Sequence, residues 1–167
     1  MRFVFGLLVF VALMLPVGAF AAQCYSAQEA EAEQGIRIHS ELMVIGLNCQ
    51  HMTPKGQKNF YYQYKEFTAK HGNLFASYES ALINYYTKAG MKNPEGSLNQ
   101  LRTQFANKIS GDAAKMRPDL FCAHFAPRIP KAGQMDTKQV RQWASTFFRS
   151  HPVSQPICAS AKVNMRP

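Results

Sequence analysis

The sequence contains none of the short motifs that mark common catalytic or cofactor sites. It has no Cys-x-x-Cys-His for haem, no His-Glu-x-x-His for zinc, no Gly-x-Ser-x-Gly and no glycine-rich phosphate loop. Acidic residues are scarce, 10 Asp and Glu against 19 Lys and Arg, and no pair is spaced for glycoside hydrolysis. These absences favour a non-enzymatic protein without cofactor or metal. A hydrolase-type enzyme with an unrecognised site is the alternative.

Strand patterns, internal repeats and low-complexity segments are also absent, and only one long apolar run occurs. That run, residues 3–15, follows Arg2 and precedes the small-x-small sequence Ala19-Phe20-Ala21. This order predicts a secretory signal peptide over residues 1–21, and therefore a periplasmic or secreted protein. Because the run is too short to span a bilayer, we expect no transmembrane segment after cleavage. An uncleaved membrane anchor is the alternative.

Positive charge predominates in the chain, with a formal net charge of +9. The first predicted helix is acidic, whereas the rest of the chain is basic. An exported basic protein meets anionic envelope polymers, lipid headgroups or acidic proteins before it meets nucleic acid. We therefore expect an anionic partner of one of these kinds and no nucleic acid. Charge that serves only to keep the protein in solution is the favoured alternative.

Apolar residues recur at helical spacing in four stretches, which predicts an all-α protein. A capping box at Ser26 and Glu29 starts the first helix, which ends near Cys49. A second box, Ser97 and Gln100, starts the third helix, over residues 98–116. Asp136 and Gln139 cap the fourth helix, over residues 136–148.

Short connections between these helices favour an up-down-up-down four-helix bundle with two disulfides. We expect the helical domain to cover residues 22–150, with residues 127–133 as a loop. Pro152 and Pro156 exclude a helix near the end of the chain, so residues 151–167 are predicted to form a non-helical tail tied by Cys158.

The second predicted helix, Phe60 to Tyr85, is the stretch around which we expect the fold to be organised. Its apolar residues follow one another in alternating steps of four and three, which keeps a single face turned toward a partner. Gly72 lies off that face and costs an exposed helix about 1 kcal/mol relative to Ala. The pattern therefore predicts one continuous helix.

Four cysteines in an exported chain predict two disulfides. Cys24 and Cys49 lie at opposite ends of the first helix, about 37 Å apart at the helical rise, which is too far for a bridge. Following the helices alternately up and down brings Cys122 to the end of the bundle that holds Cys49, and Cys158 to the other end. The predicted pairs are Cys49–Cys122 and Cys24–Cys158.

Three groups of residues invite a chemical interpretation. His71, on the buried face of the second helix, is a candidate ligand or proton site, with a hydrogen-bonded core histidine as the favoured alternative. The sequence from Cys49 to Met52 collects metal-binding side chains, but a disulfide would remove the thiol, so we expect no metal there. Cys122 and His124 suggest a nucleophile–base pair, which we discount because their side chains diverge on a helix and a disulfide would consume the sulfur.

A candidate binding surface is formed by aromatic and aliphatic residues that fall off the buried face of the second helix among lysines. Exposed apolar residues among charges suit a partner surface, with scattered surface residues as the alternative. The members of this predicted surface are Tyr62, Ile83, Tyr86, Lys58 and Lys65.

Three segments, residues 39–49, 60–67 and 121–123, resemble a group of small exported helical proteins of alphaproteobacteria that contain disulfides. The resemblance covers residues 27–125 and concerns structural positions, not catalytic ones. It implies a helical fold with a cysteine framework. The group has no established activity, so the resemblance adds no functional site.

These observations predict an exported non-enzymatic binding or interaction module that engages an anionic partner. The alternatives are the hydrolase-type enzyme and a carrier of a small apolar ligand between the helices. An enzyme should show a cleft with convergent polar groups and perturbed carboxylates or histidines. A carrier should show an apolar cavity, and an adaptor only a surface patch.

Overall fold

A computed structural model describes residues 24–166, so the predicted signal peptide, residues 1–21, lies outside the described part of the chain. The described part is mostly helical. Its helices are α1 (Ala27–Cys49), α2 (Phe60–Lys70), α3 (Gly72–Lys88), α4 (Pro94–Lys115), α5 (Pro118–Phe125), α6 (Arg128–Gln134) and α7 (Thr137–Ala144). A 3₁₀ turn spans Gln50–Met52, and two short strands are β1 (Thr146–Phe148) and β2 (Asn164–Arg166). Within residues 24–166, every helix lacks the length or the apolar character that crossing a membrane requires.

Helix α1 lies at the centre of the molecule, and each of the other helices packs against it. It starts at the predicted capping box, in which Ser26 and Glu29 each bond the other's backbone N–H. Because neighbours surround it, α1 buries apolar residues such as Ile36 and Ile45, and also the charged Glu33. The organising element of the fold is therefore α1, not the predicted helix over residues 60–85.

The all-α fold with two disulfides is confirmed. The up-down-up-down four-helix bundle is not confirmed, because residues 24–166 form more than four helices. The additional helices arise at a break within the predicted second helix and in the segment between α4 and α7.

His71 interrupts the helix that was predicted to be continuous over residues 60–85. Its backbone angles, φ −109° and ψ 20°, lie outside the helical range. Helical hydrogen bonds nevertheless cross the break, from the N–H of His71 to the carbonyl of Phe67 and from the N–H of Phe75 to the carbonyl of His71, both at 3.1 Å. The prediction of one helix is wrong, and the break is a one-residue distortion in which Gly72 has no positive φ.

Residues 127–133, predicted as a loop, instead contribute helix α6. Pro130 occupies its first turn, where the missing N–H of proline has no intrahelical acceptor to lose. Ile129 and Ala132 are buried, so burial of apolar side chains stabilises this short helix. The loop prediction is wrong because a proline was interpreted as a helix breaker at a position that tolerates it.

The last helix is shorter than predicted. Asp136 and Gln139 form the expected capping box, but α7 ends at Ala144 and the chain continues as β1. Strands β1 and β2 pair in parallel, with Phe147 opposite Met165. The expectation that the chain contains no strand is therefore wrong.

Both predicted disulfide pairs are confirmed. The Cα atoms of Cys24 and Cys158 are 5.0 Å apart and those of Cys49 and Cys122 are 5.5 Å apart, within the usual range. Beside the first pair, the N–H of Cys158 donates to the carbonyl of Tyr25 at 2.9 Å. This pair fixes the end of the chain to the start of α1.

The C-terminal segment, residues 145–166, is also fastened to α1 by buried polar side chains. The carboxylate of Glu33, fully buried, accepts hydrogen bonds from the backbone N–H of Ser154 at 2.8 Å and from its hydroxyl. Arg37 lies 3.8 Å from that carboxylate and donates to the carbonyl of Pro152 at 2.7 Å. These contacts hold the C-terminal segment in place as a wall over α1.

Candidate functional site

A cleft of about 330 Å³ lies over α1, where α6, α7 and the C-terminal segment meet. Its apolar wall is formed by Ile38, Met135, Trp143 and Phe148. Its polar lining is formed by Gln34, Arg37, Glu41, Arg128, Lys131, Thr146 and His151. A concave site of this size, with an apolar wall and a few polar groups, is typical of sites for small ligands. We refer to it below as the cleft.

Glu41 is the acidic side chain of the cleft. One of its carboxylate oxygens lies 3.6 Å from a guanidinium nitrogen of Arg128, and its side chain is 16% exposed. Burial raises the pKa of Glu41 above its ordinary value, and three neighbouring cations oppose this shift without cancelling it: Arg37, Arg128 and Lys108. Burial therefore disfavours the charged form of the Glu41 carboxyl group.

Both arginines of the cleft are positioned by an aromatic ring as well as by a carboxylate. The guanidinium carbon of Arg128 lies 4.7 Å from the centroid of the Phe125 ring, and that of Arg37 lies 4.3 Å from the Phe105 ring. A guanidinium over an aromatic face gains cation–π attraction and loses freedom of movement. The cleft thus contains two cations with fixed positions.

His151 is held in the wall of the cleft by its backbone. Its N–H donates to the carbonyl of Phe148 at 3.0 Å, and its own carbonyl accepts from the side-chain amide of Gln34 at 2.9 Å. Burial lowers the pKa of His151, and nearby cations, Lys108 foremost, lower it further. The imidazole is therefore neutral near pH 7.

A second cavity of about 260 Å³ adjoins the cleft. Glu41, Arg128 and His151 line both cavities, so these three side chains lie where the two meet. The remaining lining of the second cavity comes from α4 and α5: Lys108, Ile109, Asp112, His124 and Phe125. A carboxylate with a raised pKa, a histidine with a lowered pKa and an arginine therefore converge at one place.

The sequence did not identify these three residues as a site. Glu41 was grouped with the acidic residues of the first helix, Arg128 lay in a predicted loop, and His151 lay in the predicted tail. The available signal was a polar row on α1, in which Glu33, Arg37 and Glu41 recur every four residues. On a helix that is otherwise buried, such a row indicates that polar groups face an interior site.

The structure does not bring the predicted binding surface together. Tyr62 is 56% exposed, and the amine of Lys65 lies 4.2 Å from its ring centroid, while Lys58 pairs with Glu66. Ile83, on α3, is only partly exposed.

Tyr86, also on α3, is 8% exposed and packs edge-on against Tyr85, so its placement on the surface is wrong. Tyr62 and Lys65 remain as one small exposed pair on α2.

His71 is buried at the break between α2 and α3. Its Nδ1 lies 3.3 Å from the hydroxyl of Thr137, and its ring packs 5.0 Å from that of Phe67. Its Nε2 is buried without a hydrogen-bond partner among the described residues. Burial lowers the pKa of His71, and Lys70 adds to this, while the backbone of Met135 and the carboxylate of Asp136 oppose it. His71 is thus a core residue that packs α2 and α3 against the start of α7.

The segments with metal-ligand side chains do not form a metal site. Cys49 and Cys122 are both consumed by one disulfide, and His51 and Met52 point from an exposed 3₁₀ turn. Across residues 24–166, no group of three or more His, Cys, Asp or Glu side chains is arranged to hold a metal ion.

No protein-family model matches this chain, and neither the curated proteins nor the solved structures give a significant match. The resemblance to exported proteins of alphaproteobacteria therefore stays a prediction.

Proposed function

We propose that this protein is an exported, non-enzymatic binding module of the periplasm or cell surface that engages an anionic partner through the cleft. Two disulfides are typical of proteins in oxidising compartments, which supports export. The partner's anionic group enters between α1, α6 and the C-terminal segment. In this proposal the exposed pair Tyr62 and Lys65 is not the principal site.

The observation that carries the proposal is the concentration of cations around a partly apolar cleft. Arg37, Arg128 and Lys131 line it, and Glu41 is the only carboxylate among its described lining residues. Cations that line a concave, low-dielectric site focus their field into it and attract anions more strongly than charges on an open surface. A cation would meet net repulsion in the same place.

Trp143 provides a direct test, because it is the only tryptophan of the chain and lines the cleft. We expect a saturable fluorescence change with benzenesulfonate, and none with benzyl alcohol or benzyltrimethylammonium at equal concentration. Binding should weaken as salt rises, since partly exposed charges are screened over about 8–10 Å at physiological ionic strength. Equal fluorescence responses to all three compounds, or binding that does not depend on salt concentration, would contradict the proposal of an anionic partner.

A second candidate function, an acid–base enzyme, is favoured by one observation. Glu41, with a raised pKa, and His151, with a lowered pKa, line the same two cavities. A carboxyl group and an imidazole that both have perturbed pKa values and line the same cavity are candidates for proton transfer in catalysis. The structure therefore meets part of the criterion set above for an enzyme.

Glu41→Gln separates the two functions, since it removes the charge and keeps the shape. For an enzyme that hydrolyses esters, turnover of p-nitrophenyl acetate or butyrate should fall by about 100-fold or more in the variant. For a binding module, neither form should accelerate hydrolysis, and the variant should bind benzenesulfonate more tightly because a like charge has left the cleft. Specific turnover lost on substitution would favour the enzyme.

A further inference from the structure

We propose that the ligand of the cleft is a single-chain amphipathic monocarboxylate, with its acid group at Arg128 and Lys131 and its chain against the apolar wall. This inference rests on the proposed anion binding and specifies the chemical class of the anion. It draws on the charge balance of the cleft, the apolar character of its wall and the position of two cations on α6.

The charge balance of the cleft favours a monoanion. Arg37 is paired with the buried Glu33, and Arg128 is paired with Glu41. Lys131 is exposed and has no ion-pair partner among the described residues, so it supplies the one positive charge that no carboxylate compensates. A single carboxylate would balance this charge, whereas a doubly charged phosphate monoester would leave negative charge in a site where burial already penalises Glu41.

The apolar wall of the cleft favours a flexible chain over a purely polar anion. Phe148 in this wall is 39% exposed although it is a large aromatic residue. The wall consists of Ile38, Met135, Trp143 and Phe148. Methionine adapts its shape to irregular apolar groups, and tryptophan gives a broad flat contact. An inorganic anion or a short acid such as acetate would leave this surface uncovered.

The two cations proposed to hold the acid group lie on one helix. Arg128 and Lys131 are three residues apart on α6, so their side chains share one face of it, and both line the cleft. Arg128 also lines the adjoining cavity, whereas the apolar wall lies in the cleft alone. A ligand with an anionic head at α6 and an apolar chain along the wall matches this arrangement. The volume of about 330 Å³ limits the ligand to one chain, since it lies near the lower bound for ligand sites.

A chain-length series followed by Trp143 fluorescence tests the proposal on the full exported protein. Hexanoate, octanoate, decanoate and dodecanoate are titrated below their micellar concentrations. Affinity should rise by up to about fourfold per added methylene, the value for apolar transfer, until the chain fills the cleft. Acetate, octanol and octyltrimethylammonium should bind at least tenfold more weakly than octanoate.

Two variants and a matched control locate the acid group. Arg128→Met and Lys131→Met each keep an apolar stem and remove a cation, and each should weaken octanoate binding by about tenfold or more. Arg117→Met removes an equal charge from a side chain that pairs with Asp119 and lies outside both cavities, so it should leave affinity unchanged. If Arg128→Met fails to fold by circular dichroism, the exposed Lys131→Met carries the test.

The outcomes separate failure of this inference from failure of the proposed function. If benzenesulfonate binds but the affinity for carboxylates does not depend on their chain length, the amphipathic ligand is ruled out and anion binding remains. If octanol binds as tightly as octanoate, both this inference and the proposed anion binding are overturned. A response to phosphatidylglycerol vesicles but to no free carboxylate would assign the site to a membrane surface and also overturn the inference.

Discussion

At the scale of single residues, one buried and two half-buried histidines link the stability of the fold to pH. His39, His71 and His151 all have pKa values lowered chiefly by burial. A folded-state pKa below the unfolded value means that the unfolded chain binds more protons as the pH falls through that window. The stabilising contribution of each neutral imidazole is therefore present above about pH 6.5 and lost below it.

We predict that the free energy of unfolding decreases as the pH falls from about 7.5 to about 5.5. His71→Gln should reduce this decrease, since it removes the buried imidazole. His51→Gln is the matched control, because His51 is exposed on the 3₁₀ turn. Urea unfolding at the two pH values, with disulfides intact, measures the effect. An identical pH dependence in wild type and His71→Gln would contradict the role assigned to burial.

Two glycines at different depths give a second prediction. A Cβ added to Gly35, on the central helix, would lie 2.3 Å from ring atoms of Tyr78, which is 4% exposed. Gly35→Ala should therefore cost about 1–3 kcal/mol through overpacking. A Cβ added to Gly72 meets nothing within 4 Å, so Gly72→Ala should be neutral or stabilising by up to about 1 kcal/mol.

Melting temperatures of the two alanine variants provide the measurement. The contrast matters more than either value, since both substitutions add the same methyl group. A lowered melting temperature for Gly72→Ala, or an unchanged one for Gly35→Ala, would mean that the packing around α1 or the break at His71 differs from the description above.

At the scale of elements, the sequence predicts some helix starts, because a capping box is local. The boxes at Ser26 and Asp136 are confirmed, since each needs only two side chains three residues apart. The box predicted at Ser97 and Gln100 is wrong, because α4 begins earlier, at Pro94, with Asn93 as its N-cap. The break at His71 escapes such analysis, because apolar periodicity continues through a one-residue distortion that keeps its hydrogen bonds. Helix α6 was missed because the tolerance of Pro130 depends on where the helix starts.

The attachment of the C-terminal segment to α1 gives an element-scale prediction. The Cys24–Cys158 bond closes a loop with a sequence separation of 134 residues. Replacing both cysteines by serine should cost about 5 kcal/mol in the chain-entropy account. Amide hydrogen exchange at Cys158 and in residues 151–157 should accelerate, while the amides of α1 stay protected by their helix.

Replacement of Cys49 and Cys122 by serine is the control for that experiment. The Cys49–Cys122 bond joins α1 to α5 and does not touch the C-terminal segment. Loss of this bond should leave amide hydrogen exchange in residues 151–157 nearly the same as in the wild-type protein. Equal exchange patterns in the two double variants would show that the disulfide at Cys24 does not hold the segment.

At the scale of the whole molecule, fold class and cysteine pairing could be predicted, and the cleft could not. Helix length, which periodicity shows in the sequence, excludes the Cys24–Cys49 pair. The choice between the two remaining pairings relied on the four-helix topology, which is not confirmed. The cleft depends on Glu41, Arg128 and His151, which lie far apart in the chain and look like ordinary solvated residues. Only the packing of α6 and the C-terminal segment over α1 brings them together.

We propose that the cleft, and not the surface at Tyr62 and Lys65, receives the anionic ligand. Two-dimensional NMR of the isotope-labelled protein during titration with octanoate tests this placement most directly. We expect saturable shifts of the Trp143 indole N–H and of the amides of Lys131 and Thr146, with Tyr62 and Lys65 unchanged. Shifts confined to residues 58–66, or none at saturating octanoate, would contradict it.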